Sequence, residues 1–278
     1  MYSPTIAHEL TRSSLSFKLQ VLQASNCANI NMSTEDVQGT PIHPSYEEVA
    51  QSNGIRFVPN QSRAFQRLVI RLEGPLSTAV SVMNEEEDPD GPWEPYYQET
   101  ADGSPAWHPI SQESICDPPI SSIKTTISCL EQWEQAWLLL FDDDDLLVPP
   151  GDGVDTIWGP PREGCEPDDD ETGLSLLYHE GEHRPPNYDK PLEVTAPKDK
   201  PYLTIHDFLS VIRPYLVDRR PDILGSLIIS TECAPPLPED TKLIVNGHIK
   251  WLGVEPEEAW MISKRATKRM RDGESAAI

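Results

Sequence analysis

Residues 241–253 read TKLIVNGHIKWLG, and this stretch is the clearest local signal in the chain. Two apolar runs flank Asn246-Gly247. That pair suits a type I′ turn, because both central residues of such a turn need positive φ. The pattern predicts a β-hairpin with its turn at Asn246-Gly247. Immediately after it, EPEEAWMISKRATKRMRD (255–272) opens with acids and closes with bases. Both ends suit the helix macrodipole, so a last helix is expected there.

Before the hairpin lies LTIHDFLSVIRPYLVDRRPDILGSLIIS (203–230). Thr204 and Asp207 have the spacing of a capping box, and Phe208, Leu209, Ile212 and Leu216 form an apolar stripe behind it. Pro214 is expected to kink this helix or limit its second half. Asp218 and Pro221 then open a second helix running to about Ile229. Further back, LSLLY (174–178) and PLEVTAP (191–197) read as strands. So does QRLVIRLEG (66–74), with STAVSVMN (77–84) as its partner across Gly74-Pro75. YEEVAQSNG (46–54) reads as a short helix stopped by Asn53-Gly54. TTISCLEQWEQAWLLLF (125–141) reads as a helix with Leu130, Trp133, Trp137 and Leu140 on one face.

These elements predict an α+β fold: a small, mostly antiparallel sheet packed against about four helices, at 126–140, 204–217, 220–229 and 256–270. Residues 42–263 are read as a single domain. Two acidic, Pro-rich loops, 84–122 and 142–173, decorate it. Residues 1–41 are read as a disordered extension, with Met32 as an alternative start and a faint likeness to an organellar signal. Residues 264–278 are read as a basic, fraying tail. The chain has 278 residues, enough to bury a sizeable core.

Composition narrows the function. The formal charge is −24, so nucleic-acid phosphates and anionic membrane surfaces are electrostatically disfavoured partners and basic ones are favoured. Five cysteines occur without a CxxC pair, which fits a reducing, intracellular setting, cytoplasmic or nuclear. No apolar run approaches the ~18 residues of a membrane span.

One segment carries a metal-like spacing. YHEGEH (178–183) holds His179 and His183 four residues apart with Glu180 between them. On a helix this arrangement binds zinc, with the glutamate as general base. Gly181 and the following Pro185-Pro186 oppose a helix. Read as strand and turn, the two imidazoles stand roughly 13 Å apart, too far for one ion. No cofactor is therefore expected, with a zinc-dependent hydrolase as the alternative. The acidic runs Glu85–Asp88, Asp142–Asp145 and Asp168–Glu171 lack the calcium-loop pattern and read as solvated loops. His206, in the first turn of a helix, reads as a neutral structural histidine. Lys264, Arg265, Lys268, Arg269 and Arg271 form a basic patch, read as a dipole-matched helix end bound to the chain's own acids. Nucleophile-elbow, phosphate-loop and dinucleotide motifs do not occur.

The remaining feature is aromatic. Trp93, Tyr96, Tyr97 and Trp107 lie within the first acidic loop. They either anchor irregular chain to the domain or present a recognition surface.

The segments PLEVTA (191–196), PYLTIHDFLSVIRPYL (201–216), LPEDTKLIVNG (237–247) and EEAWMISKR (257–265) together resemble a group of uncharacterised filamentous-fungal proteins. The resemblance covers about residues 174–263. It implies a fungal α+β domain and implies no activity. The function expected from these features is a non-enzymatic intracellular interaction or scaffold module, with a protein partner of basic surface and with Trp93, Tyr96, Tyr97 and Trp107 as contact residues.

Overall fold

The computed structural model of the chain describes residues 43–52, 58–84, 88–100, 102–140, 155–169, 171–179, 181–188, 190–229 and 237–273. All fall within one compact unit, Gly39–Ile278. The expectations for residues 1–41 and for Asp142–Asp145 lie outside the described residues, as does Glu180.

The described residues form fourteen strands and eight helices. In chain order they are α1 (Tyr46–Ser52), β1 (Asn60–Gln61), α2 (Arg63–Gln66), β2 (Leu68–Arg71), α3 (Leu76–Ala79), β3 (Val80–Met83), β4 (Trp93–Pro95), β5 (Tyr97–Glu99), β6 (Pro105–Trp107), β7 (Cys116–Asp117) and β8 (Ser122–Ile127). Then come α4 (Ser128–Glu131), α5 (Trp133–Leu140), β9 (Thr156–Gly159), β10 (Ser175–His179), β11 (Glu182–His183), β12 (Leu192–Thr195), α6 (Ile205–Asp218), α7 (Arg220–Ile229), β13 (Leu243–His248), β14 (Trp251–Pro256) and α8 (Glu257–Arg271).

Seven strands form the main sheet in the order β12-β8-β14-β13-β2-β3-β4, antiparallel except for the β14–β8 pair. The α+β class is therefore observed, with a larger sheet and more helices than the sequence suggested. The extra strands come from 84–122, expected as loop: it contains β4 to β7 and opens β8. Their three- and two-residue lengths are too short to show an alternating pattern. The last helix, expected at 256–270, is α8 and continues to Arg271.

Alternation along the strands divides the core between the two faces of the sheet. Leu68, Ile70, Val80, Val82, Leu243, Val245, Leu252 and Val254 face one way and bury Phe208, Leu209, Ile212 and Leu216 of α6. Val69, Met83 and Ile244 face the other way and meet Trp260 of α8. The α6 start is fixed as its sequence implied: the Thr204 hydroxyl oxygen accepts from the Asp207 amide at 3.2 Å. The helix runs through Pro214, which is exposed beside exposed Ser210, so the carbonyl that proline cannot bond faces water.

Two local expectations changed. The hairpin β13–β14 forms, but it pairs Gly247 with Leu252 and His248 with Trp251. The turn therefore falls at Ile249-Lys250, and Asn246-Gly247 lies inside β13. Ile249 is wholly buried and its carbonyl accepts from the Thr125 hydroxyl, so packing outweighs the local turn preference. The helix expected over 125–141 begins at Ser128, because Ser122–Ile127 is strand β8 and pairs with β12 and β14. Leu130 and Trp137 are buried as their spacing required.

Candidate interaction surface

The four aromatics of 84–122 separate into two groups. Trp93 sits on β4, at one edge of the main sheet, opposite Met83 of β3. Its ring meets Trp260 edge-on at 6.5 Å. The Arg71 guanidinium stands over the same ring at 5.1 Å, and donates through Nε and Nη2 to Glu257 Oε1 at 3.0 and 2.8 Å. Glu257 opens α8, where a carboxylate also suits the helix dipole. One arginine thus ties the edge tryptophan, the sheet and the helix start together.

Tyr96, Tyr97 and Trp107 form the second group with His206 of α6. Tyr97 and Trp107 are opposite each other in the β5–β6 hairpin, with ring centres 4.8 Å apart. Trp107 lies 4.5 Å from His206 and 5.5 Å from Tyr96. Tyr96 has no exposed surface, which removes it from the set of contact residues: it supports the hairpin from beneath. Burial first, then the Asp207 carboxylate, pushes its phenol up, so it stays protonated. Its Oη lies 3.4 Å from His206 Nδ1. Burial holds His206 below 6.5, opposed by Asp207 and reinforced by Lys200. That agrees with a neutral structural histidine. Tyr97 and Trp107 are half-buried, and the Trp107 ring lies between Tyr97 of the hairpin and His206 of α6.

The histidines of 178–183 are not brought together. His179 ends β10 and His183 ends β11, and the register sets His179 against Glu182 and His183 against Tyr178. Residues opposite each other share a face and neighbours alternate, so the two imidazoles project from opposite faces of the ribbon. His179 is buried, with Nδ1 3.0 Å from Thr156 Oγ1, whereas His183 is exposed against the Tyr178 ring. The helix that the zinc reading requires is replaced by this hairpin, turned at Gly181 with φ 95°. Among the described residues, no group of three or more His, Cys, Asp or Glu is placed to hold a metal ion.

Several described residues of the charged runs have partners. Asp88 and Asp90 bind the basic part of α8: Lys268 Nζ to Asp88 Oδ1 at 2.7 Å, and Arg265 to both oxygens of Asp90. Asp168 binds Arg184, whose guanidinium shares Glu134 with Arg162. Asp169 accepts from the Glu171 amide and the Thr172 hydroxyl.

Between β4 and α8 runs a groove of about 920 Å³. Trp93, Leu237, Pro238, Met261 and Ile262 give it an apolar lining, to which Asp240, Glu257, Glu258, Lys242 and Arg265 add charged groups. Ile262 is 69% exposed. Asp240 and Glu258 make no ion pair with the described residues. Of the expected contact residues, Trp93 alone lines this groove. Leu237, Asp240, Glu258, Met261 and Ile262 were not identified from sequence. A signal for one of them exists: on the helix wheel Ile262 lies well away from Trp260, so both cannot face the sheet. Neither a family model, a curated protein nor a solved structure matches this chain.

Proposed function

We propose that the chain is a non-enzymatic intracellular interaction module, and that the groove between β4 and α8 takes a basic, apolar-anchored segment of a protein partner. The observation that carries this reading is the groove's composition: an apolar lining that includes Trp93, with the acids Asp240 and Glu258, which make no ion pair with the described residues. Apolar grooves with a few placed polar groups are the common form of peptide sites, and aromatic residues dominate their contact energy. The overall charge of −24 draws the same class of partner. Cys116, Cys129 and Cys165 are free thiols, and no described helix is long and apolar enough to cross a membrane. The free thiols support the intracellular assignment.

The test is selection of peptides from a displayed random library on the full chain. Selected peptides should combine Lys or Arg with a bulky apolar residue. Their binding should fall at least about tenfold with Trp93→Ala, a typical central-anchor effect. It should also fall with Asp240→Lys. Peptides that bind both variants as tightly as the parent would refute the assignment.

A further inference from the structure

We infer that the chain pairs with a second copy of itself, each copy seating the basic end of its α8 in the acid-lined groove of the other. This deepens the reading of the groove given above and rests on it.

The first observation is how little of α8 the domain covers. Over Glu257–Arg271, Trp260 is the one residue with a known side chain that is buried. Glu258, Ile262, Arg265 and Arg269 are all exposed. Their spacing of four, three and four residues aligns them along one face of the helix. Ile262, 69% exposed, is the apolar residue of that line.

The second observation is the charge order along that face. Acids stand at the start, Glu257 and Glu258, joined across the groove by Asp240. Bases stand at the end, Lys268, Arg269 and Arg271. A helix with this order complements itself when two copies run antiparallel. Glu258 of each then lies beside Arg269 of the other, and Ile262 of each falls near the crossing. Arg269, like Asp240 and Glu258, makes no ion pair with the described residues.

The third consideration is closure. The same patch serves on both copies, so the contact is isologous and stops at two. Fifteen helical residues extend only about 22 Å. The interface is therefore at the small end of specific contacts, and a dissociation constant on the order of micromolar is expected.

Sedimentation velocity of the full chain from about 1 to about 100 μM tests this directly. The unmodified chain should shift from monomer to dimer across that range. Ile262→Asp should remain monomeric throughout. Glu258→Arg and Arg269→Glu should each weaken association at least about tenfold, because a two-fold contact contains each pair twice. The double variant should restore it, since the exchanged charges match again. Circular dichroism of each variant checks that the domain is folded. A chain that stays monomeric at the highest concentration, or a double variant no tighter than the singles, would overturn the pairing. Monomeric behaviour together with Trp93-dependent peptide binding would remove the second copy as occupant and leave the groove as a binding surface.

Discussion

Replacing Trp260 with alanine should release α8 without unfolding the domain. Trp260 is 3% exposed and packs against Val69, Met83 and Ile244, with Trp93 edge-on at 6.5 Å. Truncating a buried tryptophan to alanine ordinarily removes about 3–5 kcal/mol. Here the loss has a local outlet. The ion pairs between α8 and the rest of the described residues include Arg71–Glu257, the exposed Arg265–Asp90 and the half-buried Lys268–Asp88, and pairs this open to solvent add little. The far face of the sheet buries α6 independently of α8. Once Trp260 is gone, detaching the helix is easier than unfolding the sheet. Hydrogen exchange read by mass spectrometry distinguishes the two outcomes. Amides of 261–271 should lose protection by roughly 10²–10⁴, the factor equivalent to about 3–5 kcal/mol. Amides of β2, β3 and β13 should keep most of theirs. An equal loss in β2 and β3 would show that α8 is part of the cooperative core, and the account of its attachment would be wrong. Unchanged protection at 261–271 would refute it equally.

Two further expectations follow from single residues. His206 and His248 are both held below 6.5 by burial, so each is neutral in the fold and gains a proton on unfolding in mildly acidic solution. The stability they contribute is complete above 6.5 and is lost as pH falls through their depressed folded values; the urea midpoint should drop on acidification below about 6.5, and His206→Phe should flatten part of that drop. A midpoint that rises on acidification, or the same slope in the variant, would contradict this. Gly247 has φ +78°, and a Cβ there would lie 3.0 Å from the backbone of both Gly253 and Trp251. Gly247→Ala should therefore destabilise by at least about 1 kcal/mol, lowering the melting temperature by roughly 2–4 °C in a calorimetric scan, and an unchanged melting temperature would be inconsistent with the strained conformation.

The long elements were legible because their signals are local. The capping box at Thr204, the stripe from Phe208 to Leu216 and the strand pattern around Ile70 each occupy one face of one element. Signals that depend on distant partners were not legible. Residues 122–127 carry Ile123, Thr125 and Ile127 on their buried side, yet helix-forming residues follow at once, and only pairing with β12 and β14 makes them a strand. Asn246-Gly247 met every local requirement of a turn and lost it to the burial of Ile249 two residues later. The site divides in the same way. Trp93 could be found as an aromatic in polar chain. Its partners at the groove come from 237–242 and from α8, far away in sequence, so nothing near Trp93 announces them. The grouping of Trp107 with His206 is equally a product of the fold, since about a hundred residues separate the two.

The strand order carries a consequence for how the protein is made. β13 and β14, the last two strands of the chain, lie between β8 and β2, which are translated much earlier. Until residues 243–256 have emerged, the main sheet lacks its middle, and the inner edges of β2 and β8 have no strand to bond. At elongation rates of about 5–20 residues per second, the interval between β8 and β14 lasts roughly 6–26 s. Through that interval two apolar, unpaired edges coexist on one nascent chain, the condition under which strands join wrong partners. A ribosome stalled just short of Leu243 would hold the protein in that state.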